Sequence, residues 1–450
     1  QETYELPGTE QDPGYGQKGT LVEWQERVAA YCAGNHILTF ALCTGLSGPL
    51  LKLFPNVRST IINLFGKTST GKTTALLVAA SLWGNPKKYT GQWRNTDNNL
   101  ESVFELYNDS LCVLDELSQV NAKKLSEIAY MAGNEKGKGR CKADTSSKRR
   151  KEWKTSILSS GELTLEDKLR EAGLRAKGGQ QARFVDIGAR VSDEDGVFNV
   201  LRGFNSGADL SKHLQEQSAK YYGVAAHEFV KRLVENKFSL LGQDLQTIYE
   251  AQIKALCDKF GLSNADGEVQ RVGDVFALPA IVGVLAVGYE VFPADLNILE
   301  SVKFVFNRWL QDRGGKKNVE DEKIVQHVMD FLMQHSARFM ELRNGETEEN
   351  RTTYNLLGYF QKENNKTTYY LILKSFKEEI CENFSDRTIR DALKKKGVLI
   401  TELENNGRER DPRKRINGEN PRRFVTIVVK NDYLEEVDSN KAVHQEIEST

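Results

Sequence analysis

Short apolar runs alternate with amphipathic stretches through the first 190 residues. Thr60–Phe65, Leu111–Asp115, Trp153–Ser159 and Arg183–Ile187 read as strands, and a further short strand falls near 88–94. Helical spacing fits 72–84, 98–107, 122–132 and 164–171. Strand and helix in alternation predict a parallel sheet with helices on both faces, an α/β fold. Ahead of it, Thr20 caps an amphipathic helix carrying Leu21, Trp24 and Val28. Ile37–Phe54 is the most apolar stretch, interrupted by Thr39, Thr44, Ser47, Pro49 and Lys52. A membrane span wants about 20 clean apolar residues, so this stretch is expected to be a buried core helix broken near Gly48-Pro49.

Beyond residue 192 the strand pattern stops. Helical spacing runs over 208–260 and 268–313, with Phe229, Leu233 and Phe238 on one face and Val275, Ile281, Val284 and Val287 on another. Asp312-Arg313-Gly314-Gly315-Lys316-Lys317 marks a boundary. After it come a helix (320–335), a strand (368–373), helices (374–381 and 385–396) and a ribbon (398–404 and 423–430), the order of a winged helix-turn-helix. The expected organisation is an N-terminal segment packing on the core (1–55), the β/α core (56–192), a helical lid (193–315), a winged-helix domain (316–431) and an acidic tail (432–450). The chain opens on Gln1 rather than Met, and a further segment is expected upstream.

Composition changes this picture little. The 450 residues carry a net charge of −1, with 28% charged and 39% hydrophobic positions, an ordinary soluble make-up. Any nucleic-acid affinity must then come from local patches. The six Cys are scattered without C-x-x-C spacing, so zinc and disulfide frameworks are not indicated, and a reducing cytoplasm is expected.

The chemistry lies in the turns between these elements. Gly66-Lys67-Thr68-Ser69-Thr70-Gly71-Lys72-Thr73, followed by Thr74, is the G-x-x-x-x-G-K-T pattern between a strand and a helix. A triphosphate needs several backbone N–H groups and a helix N-terminus aimed at its oxygens. Lys72 is expected to reach the β- and γ-phosphates, and the Thr73 hydroxyl to sit on Mg²⁺. Leu111–Asp115 is a fully apolar strand ending in Asp115-Glu116. Ligands bind at the carboxyl ends of such strands. Asp115 is therefore expected to hold Mg²⁺ and Glu116 to orient the attacking water of an ATP hydrolysis. A polar residue ending the next strand could sense the γ-phosphate, and Ser159 and Ser160 are equal candidates. Arg183 enters the strand beyond, where a ring ATPase keeps the arginine that reaches a neighbour's γ-phosphate, a contribution on the order of 10³-fold or more. Arg271 starts a lid helix and could touch a phosphate.

Two basic stretches point to DNA. Residues 136–154 hold nine basic side chains against two acids, including Lys136, Lys138, Arg140, Lys142, Lys148, Arg149 and Arg150. They form an insertion in the core, suited to sequence-independent phosphate contacts. The C-terminal region carries Arg387, Arg390 and Lys394 on a helix capped by Ser385, with Arg413 and Arg422 on the ribbon, as a recognition helix with a basic wing would.

Several segments together carry a family resemblance: Gly48-Pro49-Leu50-Leu51, Ser69–Thr74, Trp93–Asn98, Leu114-Asp115-Glu116, Glu127–Tyr130, Gly137–Arg140 and Leu158–Glu162. The chain resembles the domain-of-unknown-function family of phage, plasmid and genomic-island primase–helicases, the group that includes MCM-like helicases of staphylococcal cassette chromosomes. The resemblance implies an AAA+ (ASCE) P-loop core with a helical lid and a C-terminal winged helix. It implies a homo-hexameric, ATP- and Mg²⁺-dependent DNA helicase of a bacterial mobile element, threading single-stranded or forked DNA through a basic pore. A primase or polymerase of the same element is an expected partner, and no membrane is. It supports Arg183 as the finger, with Ala182 where MCM proteins have Ser, and places Arg271 at the sensor-2 position. The other reading is an ATP-switched DNA-binding initiator or helicase loader that does not unwind.

Overall fold

The computed structural model describes residues 13–54, 57–94, 97–138, 149–174, 176, 178–192, 194–236, 255, 258, 267–313, 319–347, 354–363, 365–381, 384–404 and 408–430. They divide into two compact units that separate between Lys316 and Lys317.

The first unit is built on a five-stranded parallel sheet: β1 (Ile61–Phe65), β2 (Gly91–Gln92), β3 (Leu111–Asp115), β4 (Ser156–Gly161) and β5 (Phe184–Gly188), in the spatial order β2-β3-β4-β1-β5. β1 is an interior strand between β4 and β5, and its residues are covered on both faces. Ile61, Ile62 and Leu64 are buried, each side chain contributing about 1.5–3 kcal/mol. The strand expected from Trp153 begins only at Ser156. Trp153 and Lys154 spend their N–H groups on Glu135 O (3.1 Å) and Asn108 Oδ1 (2.7 Å), outside the ladder.

Helices Lys72–Ala80, Asp97–Leu106, Ala122–Asn134 and Leu165–Arg170 occupy the expected places. The apolar stretch forms the His36–Gly45 helix, then a 3₁₀ segment from Gly48 to Leu53 with Pro49 in its first turn. Thr20 and Glu23 form a reciprocal capping box ahead of it, which stabilises that start by about 1 kcal/mol.

The helical region is more broken than its periodicity suggests. The described part of the run expected over 208–260 divides into Gly207–Ser218 and Val224–Glu235, and its remainder, with Phe238, lies outside the described residues apart from 236, 255 and 258. The break is Gly223, at φ +75°, where an added Cβ would meet Gly16 O at 1.7 Å. The run expected over 268–313 divides into Gly267–Gly288 and Ile298–Asp312, with Glu290 and Asn297 left-handed and Pro293 between them. Gly267–Gly288 is the one helix among the described residues long and apolar enough to cross a membrane. Val272, Phe276, Val282 and Ala286 on it are fully buried in this core, and Gly283 lies tight against Cys43 and Ile298.

The second unit starts with the Val319–Gln334 helix. Its strands are β6 (Phe339–Arg343), β7 (Glu346–Thr347), β8 (Gly358–Glu363), β9 (Lys366–Ile372), β10 (Leu399–Ile400), β11 (Glu402–Leu403), β12 (Glu409–Arg410), β13 (Arg413–Lys414) and β14 (Arg422–Lys430). Among the described residues one sheet runs β10-β14-β9-β8-β6-β7, β13 adds to β14, and β11 pairs with β12. The Asp386–Lys395 helix, capped by Ser385 Oγ accepting from Thr388 N at 3.1 Å, packs Ile389, Ala392 and Leu393 into the same core as Val425 and Ile427. Helix and ribbon make the winged-helix arrangement. The pattern missed β6 and β8, because Phe339-Met-Glu-Leu-Arg and Gly358-Tyr-Phe-Gln-Lys-Glu lack sustained alternation and are only partly buried.

Candidate functional site

The loop between β1 and the Lys72–Ala80 helix wraps around the helix N-terminus. Gly71 sits at φ +86°, and a Cβ there would meet Val197 Cγ2 at 2.7 Å, so the position demands glycine twice over. Lys72 is drawn into the loop. Its Nζ donates to Gly66 O (2.7 Å), Lys67 O (2.6 Å) and Thr70 Oγ1 (3.3 Å). Burial pulls its pKa down, and the carboxylates of Glu162 and Asp115 oppose that shift.

Asp115 links the loop to the two strand ends beside it. Thr73 Oγ1 donates to Asp115 Oδ2 at 3.1 Å, while Ser160 Oγ and Glu116 N (3.0 Å) both donate to Oδ1. A hydroxyl and a carboxylate side by side are the hard oxygen donors that Mg²⁺ takes alongside water and phosphate. Among the described residues no group of three or more His, Cys, Asp or Glu could hold a metal by itself. Glu116 follows in the left-handed region, φ +63°, which turns its carboxylate out to the surface, where Gln119 Nε2 donates to it.

Alternation along β4 separates the two serines. Ser160 faces Asp115. Ser159 faces the other way, into a buried row that crosses the sheet: Trp93 Nε1 to Ser159 Oγ (2.8 Å), Ser159 Oγ to Asn63 Oδ1 (3.0 Å), and Asn63 Nδ2 to Asp186 Oδ1 (2.7 Å). Asp186 also accepts from Leu165 N at 2.9 Å. Burial pushes its carboxyl up to about 7 despite the hydrogen bonds from Asn63 and Leu165, which pull the other way.

Arg183 is not brought to this constellation. Its carbonyl accepts from Ile61 N at the amino ends of β1 and β5, so it stands at the opposite end of the sheet from the loop. Its Nη1 donates to Gly179 O (2.6 Å), its guanidinium lies 5.6 Å from the centre of the Tyr130 ring, and its Nε is buried without a hydrogen bond. Arg271 is not brought to the loop either. It is exposed on the Gly267–Gly288 helix, while the helix that covers the loop is Gly207–Ser218. Ser211 Oγ lies 2.5 Å from Thr74 Oγ1, and Gln215 Nε2 donates to the same oxygen at 3.0 Å. Loop residues Ser69–Thr74 and this helix enclose a cavity of about 440 Å³, with Phe198 and Lys212 in its wall. The sequence reading missed these lid residues. The Ser206 cap announces the helix, but no motif says what it covers.

The basic insertion has a described stem. Gly137 N donates to Lys151 O (2.9 Å), and Lys136 bridges Glu152 in antiparallel fashion. Two of its cations face acids of the same unit, Lys136 pairing with Glu152 (3.3 Å) and Lys138 with Glu127 (3.0 Å), while Arg150 donates to the backbone carbonyl of Gly137. Arg149 is exposed. Arg140, Lys142 and Lys148 lie outside the described residues.

In the winged-helix unit Arg387 stands out from its helix, 92% exposed. Arg390 corrects the expectation of a DNA-facing side chain. It turns inward, forks onto both Asp411 oxygens (2.5 and 3.1 Å), also meets Asp386, and lies over the Phe376 ring. Lys394 pairs with Glu409 at 2.5 Å. Arg413 opposes Arg423 and Lys414 opposes Arg422 across the β13–β14 ribbon. Like charges set opposite one another are unfavourable, and among the described residues Glu404 and Glu419 answer the β14 pair, at Arg423 (2.7 Å) and Arg422 (3.1 Å).

Residues 3–152 match the domain of unknown function DUF927, and residues 320–432 match the Cch helix-turn-helix domain. A solved structure described as an active helicase, the SCCmec type IV Cch, superposes at a TM-score of 0.67 with 18% identity, over 95% of this chain and 73% of that one. The chain resembles the DUF927 proteins and the cassette-chromosome helicase. At that identity the likeness establishes the fold alone, a parallel β/α core followed by helices and a C-terminal winged-helix arrangement. A JCV helicase (16% identity, 49% of this chain, 64% of that chain) and NtrX from Brucella abortus (12%, 62% and 60%) reach TM-scores of only 0.25 and 0.21, too low to support a likeness. No curated protein matches in sequence.

Proposed function

We propose that this chain is the motor of a Mg²⁺-ATP-dependent DNA helicase that works as a homo-hexamer in replicating a mobile genetic element. Residues 56–192 act as the ATPase core, 193–315 as its lid and 316–431 as a DNA-binding module. The observation that carries the reading is the convergence of Lys72, Thr73, Asp115 and Ser160 at the carboxyl ends of adjacent parallel strands, with Glu116 one residue on.

Lys72 leaves the loop carbonyls for the phosphates when nucleotide binds. Thr73 and Asp115 hold Mg²⁺. Ser160, tied to Asp115, reports the γ-phosphate, and Glu116 orients the lytic water. Arg183 lies at the far end of its own sheet, which supports a role on a neighbour's nucleotide. The 136–154 insertion and the Arg-rich ribbon grip DNA phosphates.

The Cch-type helix-turn-helix domain also suits an ATP-switched initiator or loader that does not unwind. Strand separation on forked DNA with labelled 3′ or 5′ tails decides between them. The helicase reading expects ATP-dependent unwinding that Glu116→Gln abolishes. DNA-stimulated nucleotide binding with negligible turnover and no unwinding would select the loader.

A further inference from the structure

The nucleotide cavity has two walls, and only the loop wall has a motif. The opposite wall is the first helix after the sheet, Gly207–Ser218, and it is locked in place. Ser211 and Gln215 both bond Thr74 Oγ1, at 2.5 and 3.0 Å, and Asp195 Oδ1 accepts the Gly207 N–H at 2.9 Å. Lys212 follows Ser211 directly, so the same two bonds fix where its side chain starts. It lines the cavity together with Ser69, Lys72 and Thr74. It is exposed, and among the described residues it has no ion-pair or hydrogen-bond partner.

The charge balance of the cavity gives this lysine a role. Four ionic side chains line it: Lys72, Lys212, Glu194 and Asp195. Asp195 is engaged with the helix start, and Lys72 lies on loop carbonyls. A triphosphate brings about four negative charges into the space between the walls, more than one ammonium and a Mg²⁺ balance. We propose that Lys212 is a second phosphate-binding cation, contacting the nucleotide from the lid side, in the place that Arg271 was expected to fill. The contact is made within one subunit, from a helix already held against the loop. The inference rests on the nucleotide reading of the loop.

The test is equilibrium binding of a fluorescent N-methylanthraniloyl-ATP with Mg²⁺ to the full chain and four variants. Lys72→Ala should abolish binding. Lys212→Ala should weaken it about ten-fold, the loss of one charge-assisted hydrogen bond at a solvent-facing site. Lys212→Arg should stay within about three-fold of the parent, because the charge is kept. Arg271→Ala should bind as the parent does. Because Lys212 is exposed, its removal leaves the core intact, and an unchanged melting temperature checks this. Parent-like affinity in Lys212→Ala, with Lys72→Ala dead, overturns the lid contact and leaves the loop reading standing. A parent chain that binds no nucleotide overturns both.

Discussion

Asp186 gives the sharpest physical test of the sheet that supports the site. Its carboxyl sits between Asn63 Nδ2 and Leu165 N, partly buried in the sheet, and is pushed from 3.8 up to about 7. The folded value lies above the unfolded one, so the native state holds a proton that the unfolded chain releases between about pH 4 and pH 7. Stability from this group is therefore lost as pH rises through that window, at about 1.4 kcal/mol per pH unit, and levels off above pH 7. Asp186→Asn carries no such proton. The amide presents one acceptor to two donors, which lowers stability by a constant amount at every pH. The stability difference, parent minus variant, should shrink by roughly 3 kcal/mol between pH 5 and pH 8, two titrating units at 1.4 kcal/mol each. Urea unfolding followed by tryptophan fluorescence measures it, with Trp93 reporting from the same buried row. All other carboxylates cancel in the difference. Parallel stability curves for the two proteins across that range would refute the claim that burial keeps this acid protonated.

Glu116→Gln should keep nucleotide affinity while turnover drops by about 10² or more; normal steady-state ATPase rates would remove Glu116 from the mechanism. The two serines should part company. Ser160→Ala should slow turnover with little change in melting temperature, whereas Ser159→Ala, which leaves the Trp93 N–H and Asn63 carbonyl short of partners, should cost roughly 1–3 kcal/mol of stability. Mixing Arg183→Ala subunits with Lys72→Ala subunits should restore part of the ATPase that neither has alone, and no recovery at any ratio would count against action on a neighbour. Arg390→Ala takes away the Asp411 fork and leaves Asp386 only its longer contact with Lys377, so it should lower the melting temperature of the winged-helix unit, while Arg387→Ala should weaken DNA binding without touching stability. The reverse pattern in melting and DNA-binding assays would restore Arg390 as a DNA contact.

Local pattern was enough for the parallel core. β1, β3, β4 and β5 are short runs of mostly buried residues, β1, β3 and β4 flanked by strands on both sides and β5 at the sheet edge, and such runs stand out whatever surrounds them. The phosphate loop was legible for the same reason: its glycines, lysine and threonines act through backbone geometry that is local in the chain. Sequence left Ser159 and Ser160 equal, because adjacent strand residues differ only in the face they present, and a face acquires meaning only when Asp115 stands on one side and Asn63 on the other. It read Arg390 as a DNA contact, because nothing near it in the chain announces Asp411, 21 residues on. It put Arg271 over the phosphates and passed over Lys212, since which lid helix covers the loop depends on the Thr74–Ser211–Gln215 contacts. Periodicity and motif spacing report what neighbouring residues do to one another. Pairings across 21 to 141 positions depend on how helices and strands pack, and only the folded chain brings those groups within hydrogen-bonding distance.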